Sequence, residues 1–225
     1  MNSGLASAQL QDTTSGFISP EIPPEVWAQH FAAAPLRLGV LASGSGTNFE
    51  AIAQAIAAQT LNAQVQVMIC NQPTAKAAAR AQRWGIPHTL LNHRDFSSRE
   101  ALDEAIIATM QQHRVEWIIM AGWMRVVTQV LIDAFCDRIL NLHPSLLPSF
   151  PGANAVEQAL AAGVKVTGCT VHLVRLAVDS GPILMQAAVP IVPTDTADSL
   201  HQRIQAQEHL IFPQAIAIAA HLAQP

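Results

Sequence analysis

The sequence is poor in charge and in cysteine, and it has no apolar run near the thickness of a bilayer. Only 12% of its 225 residues are charged and 50% are apolar, which excludes an open, solvated chain and calls for one sizeable core. Twelve basic against sixteen acidic residues leave a net charge of -4, which argues against broad, sequence-independent binding to nucleic acid. The three cysteines, Cys70, Cys136 and Cys169, are an odd number without metal-type spacing. They read as buried free thiols and fit a reducing cytosol. No stretch approaches the roughly 20 apolar residues of a membrane span. Met1 to Gly16 is Ser-, Gln- and Thr-rich with neither a charged leader nor an apolar centre, so no secretory signal is expected. The expected location is cytoplasmic, with no membrane and no nucleic-acid partner.

From Leu36 onward short β-branched and apolar runs alternate with Ala-rich segments of helical length, the sequence form of a parallel sheet flanked by helices. Strands are expected at 36–42, 65–70, 88–91, 117–121 and 138–142, with helices at 48–58, 74–84, 98–113, 128–135 and 153–162. Two later strands, 165–174 and 183–189, are joined by so short a turn that their pairing must be antiparallel or irregular. The fold class is therefore α/β, a mostly parallel, doubly wound, Rossmann-like sheet with an antiparallel edge. A last helix starts near Thr196, among several capping residues, and an interruption is expected at Pro213. Residues 1–34 read as a flexible N-terminal extension with a short helix after Pro24, and 35–225 as one domain.

Ser43-Gly44-Ser45-Gly46-Thr47-Asn48 follows the first expected strand and opens the first helix. Its glycines permit close backbone approach, and free N–H groups with the helix dipole favour an anion. The dinucleotide fingerprint is incomplete: Phe49 replaces the third glycine and Cys70-Asn71 the acid that ends the second strand. Walker-type Gly-Lys-Ser/Thr is absent too, so a phosphate monoester is favoured over NAD or ATP; an ordinary tight turn is the bland alternative. No pair of histidines, His172 and His209 included, has zinc-type spacing with a third ligand, and no metal is expected.

The richest segment is Asn141-Leu142-His143-Pro144. Side chains alternate along a strand, so Asn141 and His143 leave the sheet on one face just before Pro144 ends the ladder. An amide donor beside an imidazole suits acyl chemistry, where one group meets developing negative charge and the other handles a proton. Asp179, in the turn Asp-Ser-Gly-Pro, is a candidate third partner; within about 4 to 6 Å it would favour the charged ring. Arg99 opens a helix at a strand end, where its fork suits a carboxylate or a phosphate, and the spacing does not choose between them. Gln205 and Glu208, at i and i+3, share a helix face that either reaches sugar hydroxyls or is simply solvated.

Five motifs occur in order: Ser-Gly-Ser-Gly-Thr-Asn (43–48), Ala-Gly-Trp-Met-Arg (121–125), Asn-Leu-His-Pro-Ser-Leu-Leu-Pro (141–148), Asp-Ser-Gly-Pro (179–182) and Gln-Glu-His (207–209). Together, over about residues 36–222, the chain resembles the phosphoribosylglycinamide formyltransferase family. The resemblance implies formyl transfer from 10-formyltetrahydrofolate to the amine of 5'-phosphoribosylglycinamide in purine synthesis, by direct attack through a tetrahedral intermediate. It implies catalytic roles for Asn141, His143 and Asp179, nucleotide contacts from Gly46, Thr47, Asn48, Gln205 and Glu208, and folate contacts from Arg99, Met124, Arg125, Val126, Val127 and Asn141. The loop from Arg175 to Asp179 is expected to line the folate slot. The implied partners are these two small molecules, and the implied assembly a monomer or homodimer. One departure is clear: Asn154 stands where the family usually has a histidine, and is expected to cap the helix instead.

Methionyl-tRNA formyltransferase and formyltetrahydrofolate hydrolase share the Asn-His-Asp set but would need a further domain, so length disfavours both. A non-catalytic nucleotide-binding module, with His143 merely structural, is the rival from another class. A Rossmann oxidoreductase is weaker, for the missing glycine and acid.

Overall fold

The computed structural model describes residues 17–223. The elements run in chain order β1 (Phe17–Ser19), α1 (Pro24–Ala32), β2 (Leu36–Ala42), α2 (Thr47–Ala57), β3 (Ala63–Cys70), α3 (Lys76–Arg83), β4 (His88–Leu90), α4 (Arg99–Gln112), β5 (Trp117–Met120), α5 (Gln129–Ala134), β6 (Ile139–His143), α6 (Ala155–Ala161), β7 (Val166–Leu173), β8 (Ile183–Pro190) and α7 (Ala197–Leu222). They form one eight-stranded sheet in the order β1-β8-β7-β6-β5-β2-β3-β4. The five strands from β6 to β4 are parallel, whereas β7, β8 and β1 pair antiparallel. This is the mostly parallel α/β sheet with an antiparallel edge that the periodicity predicts.

Alternation along the central strands explains the layering. Leu38, Val40 and Ala42 of β2 join the core that contains Phe49 and Ile52 of α2 and much of α7. Leu41 points the other way, to Leu102, Ile106 and Met110 of α4 and to Leu131 of α5. A strand covered on both faces reads as a continuous apolar run, as β2 does. Gly39 lies on the α4 side, where a Cβ would sit 2.1 Å from the Met110 sulfur. The parallel order reverses between β2 and β5, and a crevice opens at the carboxyl ends of strands at such a switch point. Leu140 and Leu142 of β6 enter the α7 core and Ile139 the α4 core, so Asn141 and His143 face the α4 side.

Four expectations need correction. Helix α7 is not interrupted at Pro213 but continues to Leu222. The proline forgoes one N–H donor, yet Ile211, Phe212, Ala215 and Ile216 are buried on both sides of it, and their packing holds the helix together. Cys136 is exposed, in the turn after α5, while Cys70 and Cys169 are buried. Asn154 occupies the N-cap position of α6 in a left-handed conformation, φ 58°, and its side chain makes no capping hydrogen bond. The extension also carries an unforeseen strand, β1, which covers the outer edge of β8; an open edge is otherwise a template for unwanted pairing. Helix α1 follows it, with the buried His30 accepting the Asn62 N–H at 2.9 Å. The flexibility expected of residues 1–16 lies outside the described residues.

Candidate active site

The loop after β2 is shaped by its contacts with α3. The Gly44 carbonyl accepts from Ala77 N–H at 3.2 Å, and the Ser45 carbonyl accepts from Arg80 Nε at 2.8 Å. A trans peptide holds C=O and N–H on opposite sides, so the N–H groups of Ser45 and Gly46 turn away from α3. Gly46 has φ +73°, and a Cβ there would lie 2.7 Å from that of Ala77, so no other residue fits without displacing α3. With the unpaired first N–H groups of α2, at Thr47 and Asn48, the loop forms a concave row of donors suited to an anion.

Helix α7 closes this side. Gln205 donates from its amide to Thr47 Oγ1, and Asn48 donates to Glu208 Oε2, both at 2.9 Å. Thus Gly46, Thr47, Asn48, Gln205 and Glu208 come together. Burial pushes the Glu208 carboxyl above its ordinary range, against the Asn48 hydrogen bond and the charge of His201.

The segment after β5 lies across the switch point. Met124 N–H donates to Ser43 Oγ at 2.8 Å, and Ser43 N–H to the Gly122 carbonyl at 3.0 Å. Val127 is buried, but Met124 and Val126 are exposed. Arg125 is half-buried. No N–H of Arg125, Val126 or Val127 donates to another backbone group among the described residues. Such a strip of main-chain donors is open to a polar ligand. Arg99 stands exposed at the first position of α4, behind the cap Ser98, and is brought near the strip only through its helix.

Asp179 joins the end of β6 to the loop before β8. Gly181 lets that loop press on Leu173, whose carbonyl would lie 1.7 Å from a Cβ, and Asp179 has φ 51°. Its carboxylate receives Gly152 N–H at 2.7 Å, lies 3.2 Å from His143 Nδ1, and accepts from the Asn141 amide at 3.4 Å. Burial acts to raise the Asp179 carboxyl; hydrogen bonds from His172 and Gly152 and the charges of both imidazoles outweigh it and hold the carboxyl below its usual range. His143 Nε2 is 2.8 Å from the Phe150 carbonyl. Both ring nitrogens therefore face acceptors, an arrangement satisfied by a ring with two N–H groups. Arg175 of the same loop pairs with Asp137.

His172, set aside in the sequence, belongs to this cluster. It pairs with Asn141 across β6 and β7. Its Nδ1 donates to the Leu173 carbonyl at 2.9 Å, and its Nε2 lies 3.2 Å from the Asn141 amide nitrogen and 3.6 Å from Asp179 Oδ1. The signal was the antiparallel register, since a cross-strand partner of Asn141 shares its face. Among the described residues, no group of three or more His, Cys, Asp or Glu could hold a metal ion, and no helix is long and apolar enough to cross a membrane.

A mostly parallel sheet, a glycine turn with outward N–H groups at its switch point and an Asn-His-Asp cluster at a strand end are the features of a group-transfer class of α/β protein. The formyl transferase family model matches residues 36–216, and the chain belongs to that family. It is 41% identical over 180 residues to phosphoribosylglycinamide formyltransferase of Bacillus subtilis, covering 80% of this chain and 92% of that protein. It is 45% identical over 184 residues to the trifunctional purine biosynthetic protein adenosine-3 of Drosophila melanogaster, covering 81% of this chain but spanning only 14% of that protein. Among solved structures, glycinamide ribonucleotide transformylase 1 from Symbiobacterium toebii superposes with a TM-score of 0.82 at 45% identity, covering 83% of this chain and 89% of that one.

Proposed function

We propose that this chain transfers a formyl group from 10-formyltetrahydrofolate to the amine of 5'-phosphoribosylglycinamide, a step of purine biosynthesis. The observation that carries the reading is the convergence of Asn141, His143 and Asp179 at the end of β6, next to β5 and the strip at 124–127 that follows it. Its support from kinship is a relative named for this activity that the chain matches along 92% of its length.

In this reading the phosphate rests on the N–H groups of Gly46, Thr47 and Asn48, and Gln205 and Glu208 exchange their present partners for the ribose. Arg125, Val126 and Val127 hold the pterin through main-chain groups, Met124 covers it, and Arg99 meets the glutamate carboxylates. The Asn141 amide and a His143 N–H donate to the formyl oxygen as it gains negative charge, each donor contributing about 10² to 10³ in rate. To do so His143 Nε2 gives up the Phe150 carbonyl for the substrate oxygen, while Nδ1 keeps Asp179. As the bond from the formyl carbon to the folate nitrogen breaks, His143 passes a proton to that nitrogen and regains the one lost by the attacking amine, while Asp179 keeps the ring aligned. His172 holds the Asn141 amide in place.

The decisive experiment is a difference-absorbance assay of folate deformylation, run with and without the ribonucleotide. Transfer requires the ribonucleotide; hydrolysis of the folate alone, or nucleotide binding without turnover, would overturn the reading. A cytoplasmic location belongs to the same proposal, supported by three cysteines that are all free. Light scattering on the purified protein decides between monomer and homodimer.

A further inference from the structure

The residues 123–128 cross the crevice between β5 and α5 without regular secondary structure. A segment like this orders a ligand only if its own shape is settled beforehand, because ordering it on binding costs affinity. One end is held by Ser43, through the Met124 N–H. The other end is held by Asp103, whose Oδ2 accepts the Thr128 N–H at 2.6 Å.

Asp103 is an unusual residue for its position. It is 2% exposed, on a helix whose other buried side chains are Leu102, Ile106 and Met110. An isolated carboxylate is unfavourable in such surroundings, and an apolar side chain would fill the core as well. What the carboxylate adds is the bond to Thr128. Asp103 also follows Arg99 by four residues, so the two share one face of α4, the face turned towards this segment. A single helix thus carries both the clamp on the segment and the exposed arginine beside it.

We propose that Asp103 is a positioning residue for the folate co-substrate, fixing the main-chain strip of Arg125, Val126 and Val127 and setting it at a constant distance from Arg99. The inference rests on the formyl-transfer reading above. Asp103 touches no reacting atom; it acts through Thr128.

Amide exchange on the wild-type protein tests the clamp directly. Thr128 N–H is expected to be strongly protected, while the amides of Arg125, Val126 and Val127 exchange quickly and become protected when tetrahydrofolate is added. Asp103→Asn keeps an oxygen acceptor, and should retain Thr128 protection and a folate KM within about threefold of wild type. Asp103→Leu removes the acceptor, and should lose that protection and raise the folate KM about tenfold. In both variants kcat and the ribonucleotide KM should stay within about twofold. The wild-type exchange and the asparagine variant do not depend on the leucine variant folding. The proposal is overturned if Thr128 exchanges as fast as its three predecessors, if Asp103→Leu leaves the folate KM unchanged, or if both KM values rise together. Failure of the functional reading looks different: wild-type protein that transfers no formyl group at all.

Discussion

The two halves of the crevice present their groups in opposite ways. On the side proposed for the nucleotide the side chains are already paired, Gln205 with Thr47 and Asn48 with Glu208, and Glu208 is deeply buried. On the side proposed for the folate Met124 and Val126 are 78% and 46% exposed, while the N–H groups of the main chain between two anchors have no backbone partner among the described residues. A site made of paired side chains depends on the identity of each residue. A site made of backbone depends on shape, and tolerates side-chain change so long as the backbone is held.

This contrast can be broken by substitution. The largest effect is expected where the halves meet: His143→Ala should lower turnover by about 10² to 10³ or more, with circular dichroism unchanged. Next, Glu208→Ala removes the carboxyl group that meets the ribose in the proposed reading. A net hydrogen bond is worth about 0.5–1.5 kcal/mol, so the ribonucleotide KM should rise about two- to tenfold while the folate KM holds. Equal rises in both would mean the halves are not separate.

A smaller effect concerns acid. The Asp179 carboxyl is depressed in the folded protein, so it contributes stability that is complete above the unfolded value of about 4 and is lost as the pH falls through the folded value. Melting of wild type and Asp179→Asn between pH 7 and pH 3 should show a gap that closes towards acid; a gap constant with pH would count against the ionised cluster. The smallest change is expected from Val126→Ala, with a folate KM within about threefold of wild type. A tenfold loss there would show that side chains, not backbone, recognise the folate.

Much of this arrangement was legible because periodicity acts locally. The alternation of Leu140, Asn141, Leu142 and His143 places two polar groups on one face whatever lies elsewhere, and Ser43 to Asn48 announces a tight turn by its glycines. What escaped depends on tertiary partners. Phe17-Ile18-Ser19 is too short to show a period, and becomes a strand only because β8 offers an edge. His172 enters the site through a register that a single strand does not reveal. Pro213 shows the converse, a local rule overridden by packing on both sides.

Ser43 gives the crevice a property beyond its shape. Its hydroxyl takes the Met124 N–H and its own N–H reaches the Gly122 carbonyl, so the turn proposed for one substrate and the strip proposed for the other share a joint. Free-energy coupling through such a joint is reciprocal: whatever factor the ribonucleotide adds to folate affinity, the folate returns to the ribonucleotide. Either order of addition then closes the same thermodynamic cycle, and Ser43→Ala is the change that would flatten it.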